Sequence, residues 1–234
     1  MRLVIKSHAI GEVLVVQCAG RIVAGTEAET LQKHLKQAIP ETPDIVLVLD
    51  KLDYIDSSGL GALVRLVGNA RSLGGDIKLC ALPPPILKIL QITNLHRVFE
   101  THESEADAVT ASYQRCSRAG AAAAHGAKTV LCVEESADLL AYMLEVLRGA
   151  GLRPLGGRNL PDAVVLFKAT KPAAVIMGPG LPLCDGKPCP QRLAEINPAI
   201  PIVTLDESFS LLDPGEAGAR LLESVRSVIP VSGS

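Results

Sequence analysis

The chain of 234 residues has no tryptophan, three tyrosines and three phenylalanines, so aromatics make up only 3% of it. Its cores must be aliphatic, and it lacks the stacking platforms on which single-stranded nucleic-acid binders rely. It also lacks a surplus of basic charge. Residues 1–118 carry 13 basic and 13 acidic side chains, and residues 119–234 carry 10 and 12, so neither half suits a phosphate backbone. No run of about 18 apolar residues occurs, which argues against a membrane-spanning helix. The opening MRLVIKSHAIGEVLVV is interrupted by Lys6 and Glu12, unlike the apolar centre of a secretory leader. These absences predict a cytoplasmic protein that touches neither nucleic acid nor membrane.

What is present describes a globular chain: 48% hydrophobic and 21% charged residues, with a net charge of −2. The six cysteines (Cys18, Cys80, Cys116, Cys132, Cys184 and Cys189) are scattered and read as small buried hydrophobes in a reducing compartment. Cys184 and Cys189, spaced CDGKPC, have no nearby histidine and no second pair. A structural zinc site wants four ligands, so no metal or other cofactor is expected.

Composition breaks at SRAGAAAAHGAK (117–128), a stretch of small residues that reads as a linker over 118–127, between domains at 1–117 and 128–234. Alanine favours helix, so part of this stretch is able to prolong the helix before it. In the first domain, RLVIKS, EVLVVQC, PDIVLVLDKL, DIKLCAL and HRVFETH read as strands. GTEAETLQKHLKQAI reads as a helix, with Thr26 as its N-cap and Glu29 three residues on. A second helix, SSGLGALVRLVGNARSLGG, closes at Gly74 and Gly75, and a third, PPILKILQIT, opens on prolines. SEADAVTASYQRC is the last, with Ser104 at its start and Asp107 three residues on. In the second domain four strand patterns (KTVLCVEE, RPLGGR, PAAVIMG and PIVTLD) alternate with helical ones. The fold class is α/β: a mixed sheet with helices first, then a doubly wound, flavodoxin-like parallel sheet.

The stretch with chemical content is DYIDSSGLG, where an apolar strand hands over to an amphipathic helix. Ser57 and Ser58 stand there between Asp56 and Gly59. Small hydroxyls at such a place serve as a helix cap, an anion-binding turn, a nucleophile or a phosphorylation site. No histidine is close in sequence and the stretch is not a GxSxG elbow; His34, His96 and His102 read as surface or loop residues. Gly59 and Gly61 keep the first helical turn slim, either for a partner's approach or for packing on the neighbouring strand. Leu60, Leu63, Val64 and Val67 recur at helical spacing and read as core.

Residues 3 to 116 resemble the STAS family, named for sulfate transporters and anti-sigma factor antagonists. The resemblance rests on the order of elements, on GRIVAGTEAETL, on YIDSSGLGAL and on GGDIKLCALPPPILKILQITNLHRVF. It implies an anti-sigma factor antagonist without catalysis of its own, phosphorylated on Ser57 by a serine kinase that is also the anti-sigma factor. A serine phosphatase would restore it. Asp56, Ser58, Gly59 and Gly61 would belong to the partner-binding surface. The alternative is a non-catalytic scaffold in which the serine is only a cap.

Residues 128 to 230 resemble a response-regulator receiver, through KTVLCVEESADLLAYMLEVLRGAGLRPLGGRN, KPAAVIMGPGLPLCDG and NPAIPIVTLDES. In that family an acidic pair and an acceptor aspartate hold Mg²⁺. The resemblance puts Glu134 and Glu135 at the pair, Gly178 at the acceptor and Asp206 at the switch hydroxyl, with Thr204 there if the register shifts. Glycine has neither ligand oxygen nor nucleophile, so the reading is a pseudo-receiver used for interaction, including homodimerisation through its last two helices. Asp185, in the turn CDG, reads as a loop residue.

Overall fold

A computed structural model of the protein describes residues 2–120, 128–181 and 189–229. The chain divides into two compact units, Met1–Arg115 and Cys116–Ser234.

The first unit begins with an antiparallel pair, β1 (Val4–Ile10) and β2 (Val13–Ile22). Helix α1 (Thr26–Ala38), β3 (Asp44–Ile55), α2 (Ser57–Ser72), β4 (Asp76–Cys80), α3 (Pro84–Ile92), β5 (Thr101–His102) and α4 (Glu105–Gly120) follow. The sheet order is β1-β2-β3-β4-β5, antiparallel only at its first pair, so the sheet is mixed. Alternate strand residues explain its two buried faces. Val16, Cys18, Ile45, Leu47, Ile77 and Leu79 join one core with Leu31 and Leu35 of α1 and Leu63, Leu66 and Val67 of α2. Leu60, Leu63 and Val67 are buried as expected, and Val64 packs against them half-buried. Leu63 is 1% exposed, and truncating it to alanine should cost about 2–5 kcal/mol. Val15, Val46, Val48 and Lys78 are buried on the other face. There Tyr113 of α4 donates to the carbonyl of Ile10 (3.1 Å) and accepts from the amide of Glu12 (2.7 Å).

Two local expectations need correction. Thr26 is not the N-cap of α1: Gly25 is, with φ 97° and no side-chain hydrogen bond, and Thr26 lies inside the first turn. A left-handed φ selects glycine at the cap. HRVFETH is not one strand. Asn94 takes a left-handed conformation, Leu95–Arg97 forms a 3-10 turn, and only Thr101–His102 pairs with β4. Ser104 then accepts from the amide of Asp107 (3.2 Å) as expected, and α4 runs on to Gly120, into the stretch read as linker.

The second unit runs β6 (Thr129–Val133), α5 (Ala137–Gly149), β7 (Arg153–Gly157), α6 (Leu160–Thr170), β8 (Ala174–Met177), α7 (Cys189–Ile196), β9 (Ile202–Thr204), a 3-10 turn Glu207–Leu211 and α8 (Pro214–Val228). Its sheet is parallel in the order β7-β6-β8-β9. Helices cover both faces: a side chain at Gly156 would meet Leu140 and Leu144 of α5, and one at Gly157 would meet Ala163 of α6. Helix α8 shares the α5 face, with Leu221 and Val225 in one core beside Met143 and Leu147. Among the described residues no fifth strand follows β9; the chain passes through the 3-10 turn directly into α8.

Burial pushes the thiols of Cys18, Cys80 and Cys132 up to about 12. All three are buried and free, which matches the reading of them as small hydrophobes. Cys184 lies outside the described residues, as do the side chains of Cys116 and Cys189. Asp185 lies outside them too. No helix among the described residues is long and apolar enough to cross a membrane.

Candidate functional site

The first candidate site is set by how far β3 runs. It pairs with β4 only as far as Val48↔Cys80, then continues beside β2 to the pair Ile22↔Ile55. The amide of Asp56 donates to the carbonyl of Ile22 (3.2 Å) and the helix starts at the next residue. Asp56 is the N-cap of α2, in extended conformation, and its Oδ1 accepts from the amide of Gly59 (2.8 Å). Its Oδ2 accepts from the amide of Ala24 (2.9 Å) in the loop before α1. One carboxylate thus closes a helix end and ties down a second loop. These bonds, first that of Gly59 and then that of Ala24, hold the Asp56 carboxyl below its ordinary value of 3.8.

That arrangement decides the role of the serines. The cap is taken by Asp56, so neither Ser57 nor Ser58 is the cap. Both are exposed, and among the described residues neither hydroxyl makes a hydrogen bond. Ser57 occupies the first position of α2, at the positive end of the helix dipole. Among the described residues no side chain hydrogen-bonds to its Oγ.

The two glycines separate. A side chain at Gly59 would lie 2.5 Å from the carbonyl oxygen of Ile22 and 2.8 Å from Ile55 Cγ1. Gly59 is buried, and its close approach is to the chain's own sheet. At Gly61 the nearest atom, the Arg65 guanidinium, is 3.6 Å away, so that position has room for a side chain. His96 is exposed and His102 sits 3.2 Å from Glu100. The sequence reading passed over Tyr54, which is 51% exposed two residues before Asp56. An aromatic left in solvent by a chain with so few of them was the available signal.

The second candidate site is the equivalent edge of the other sheet. Glu134 follows β6 directly and is only 2% exposed. Its Oε1 accepts from the amide of Ser136 (2.9 Å) and its Oε2 from that of Gly180 (3.3 Å). Glu135 faces solvent, and its carbonyl accepts from Arg158 (3.1 Å). Gly178 stands beside Glu134: the amides of Glu134 and Gly178 donate to Gly157 and Val133 across the sheet. Thr204 ends β9 in register with Met177, and Asp206 lies two residues beyond the strand. Asp206 caps the following 3-10 turn and pairs with Arg220 (2.7 Å). Its hydrogen bond with Ser208, then Arg220, holds its carboxyl below the ordinary value.

A crevice of about 600 Å³ opens here, lined in part by Glu134, Ser136, Asp138, Pro179, Gly180 and Glu207. It lies outside the carboxyl ends of the strands, where open α/β sheets hold ligands. Among the described residues the donor set does not fit Mg²⁺: each Glu134 oxygen accepts from an amide, and Gly178 has no side-chain oxygen to offer. No three acidic, histidine or cysteine side chains converge among the described residues, whereas hard cations want six or more oxygens, several from carboxylates or water.

With the fold and both edges described, the relationship to known proteins becomes definite for the first unit. Residues 5–108 match the family model described as "STAS domain". A STAS-domain containing protein of Pseudomonas aeruginosa is 33% identical over 93 residues, which are 39% of this chain and 90% of that one. The anti-sigma F factor antagonist of Paenibacillus polymyxa is 28% identical over 100 residues, 42% of this chain and 85% of the relative. A solved anti-sigma-factor antagonist (STAS) domain protein from Planctomyces limnophilus aligns at a TM-score of 0.42 with 21% identity, covering 48% of this chain and 98% of that one. Through this segment the chain belongs to the STAS family.

Proposed function

We propose that this protein is an anti-sigma factor antagonist that works by partner switching, with Ser57 as the residue that a serine kinase/anti-sigma factor phosphorylates and a serine phosphatase restores. The observation that carries this reading is the free, exposed hydroxyl of Ser57 at the head of α2, with the capping duty discharged by Asp56. A phosphate there adds a charge of about −1.5 to −2 at the positive end of the helix dipole, which tolerates it. The domain itself need not refold. The partner meets the new charge, and binding weakens through repulsion and desolvation. Tyr54, exposed beside the site, is the aromatic contact for that partner. The antagonist identity of the Paenibacillus relative supports this reading.

The second unit acts in this proposal as a receiver-like interaction module without phosphorylation or catalysis, and it is the place for self-association. Its parallel order and helices on both faces support the likeness; Gly178 removes the acceptor.

The test is capture from the native cell with the Ser57→Ala protein as bait, followed by phosphorylation of wild-type and variant chains by the kinase recovered. Uptake of one phosphate by wild type and none by Ser57→Ala is expected. Phosphate persisting on the first unit of the variant would overturn the assignment, and light scattering on the second unit's contribution to size tests self-association.

A further inference from the structure

The edge of the second sheet carries an arrangement that the missing acceptor alone does not explain. A side chain built at Gly178 would have its Cβ 1.9 Å from Glu134 Oε2, 2.8 Å from its Cδ and 3.0 Å from its Cβ. A Cβ at Gly180 would fall 2.8 Å from Glu134 Oε1. The Glu134 carboxylate therefore lies in the space that a side chain at 178 would enter, and glycine is required at 178 while it stays there. The carboxylate is buried, and its two oxygens are satisfied by the amides of Ser136 and Gly180.

We propose that Glu134 and Gly178 form an interlocked pair, in which the Glu134 carboxylate serves as a built-in plug that pins residues 134–136 and 178–180 in one ligand-independent arrangement. The inference stands on this geometry and goes beyond the reading of Ser57. Its physical content is a coupling. A Glu134 carboxylate moved out of this pocket loses two amide bonds, and the buried acid must find new partners for its charge, which is costly. Any side chain at 178 forces that movement, because the atoms it meets are the acid's own, at distances that real contacts do not reach. The edge then presents a fixed surface, without the pliable metal-binding acid that its position suggests. The crevice of about 600 Å³ beside it keeps its shape whether or not Mg²⁺ or a phosphoryl donor is present.

A double-mutant cycle on the full chain tests the pair: wild type, Gly178→Ala, Glu134→Ala and the double variant. Thermal unfolding is followed together with amide exchange in residues 174–180, so that the second unit is read separately from the first. Gly178→Ala alone should lower the midpoint of the second unit by at least about 5 °C and speed exchange at Gly180. In the Glu134→Ala background the same substitution should shift the midpoint by less than about 2 °C, since the carboxyl atoms it strikes are gone and only the looser contact with the Cβ at 134 remains. Equal shifts in both backgrounds would overturn the proposal. If Gly178→Ala yields no folded protein, recovery of folded protein by adding Glu134→Ala supports the pair, and failure to recover it refutes it. Wild type should also show no change in midpoint with millimolar Mg²⁺; a rise would mean that the carboxylate leaves its amides for the ion, contrary to a fixed plug.

Discussion

Two carboxylates, one in each unit, do the same chemical work at the end of a strand and leave opposite surfaces behind. Asp56 accepts from the amides of Gly59 and Ala24, and Glu134 accepts from those of Ser136 and Gly180. Asp56 has the shorter side chain, stays at the surface and leaves Ser57 beside it unbonded in solvent. Glu134 has one more methylene, is buried, and reaches across to fill the room over Gly178. The first edge leaves an unbonded hydroxyl exposed. The second has consumed its charged group internally. A strand-end acid thus says little by itself about ligand binding; where its two oxygens are engaged decides whether the neighbourhood is open or closed.

The comparison can be broken most forcefully at Gly59, which holds the open edge together. Gly59→Ala drives a Cβ against the Ile22 carbonyl, a backbone atom that cannot swing away. It should cost about 1–3 kcal/mol in urea unfolding of the first unit; a neutral result would mean that α2 is free to slide on β2. Next comes Asp56. Its folded-state carboxyl lies below its unfolded value, so its contribution is complete above pH 3.8 and is lost as pH falls through the lower folded value. Asp56→Asn keeps an oxygen for Gly59 but none for the Ala24 amide. The variant should be less stable than wild type at neutral pH, and the gap should narrow as both are acidified. A gap that stays constant across the acid limb would deny the shared bond.

Gly61→Ala should have a smaller effect with the opposite sign. The position is a helix interior with 3.6 Å of clearance, so alanine should add about 0.5–1 kcal/mol. A loss instead would show that Gly61 has a backbone role that its φ and surroundings do not reveal. Smallest of all are Ser57→Ala and Ser58→Ala. Neither hydroxyl caps the helix, so each should move stability by no more than about 0.5 kcal/mol, even though only the first should abolish phosphate uptake. A loss of 1 kcal/mol or more in Ser57→Ala would restore the capping role that Asp56 now holds.

Much of this was legible in the residues. The near-continuous apolar run of β3, the alternating pattern of elements and the position of DSSG between strand and helix all emerge from side-chain period and turn chemistry, which are local properties. The four strands of the second unit and the burial of Leu60, Leu63 and Val67 follow for the same reason. The errors were also local in kind. Thr26 has the right chemistry for a cap, but Gly25 with its left-handed φ takes the position. HRVFETH has strand-like composition, but the turn at Asn94 and the 3-10 segment leave two residues to pair. A sequence match leaves Asp206 or Thr204 at the end of the fourth strand; the ladder ends β9 at Thr204, and Asp206 caps the next turn.

By itself the sequence determined the α/β class, the membership of the first unit in the STAS family, the candidate serine and the absence of an acceptor oxygen at 178. Each depends on which atoms are present and on spacings of a few residues. Tertiary structure alone decided that the capping Asp56 also ties down the loop before α1, because its second acceptor bond goes to Ala24, 32 residues away. It alone decided that Gly59 serves packing while Gly61 does not, and that Glu134 fills the space above Gly178, 44 positions along the chain. Those are contacts between segments distant in sequence, and their distances come from how β2 meets β3 and how β6 meets β8.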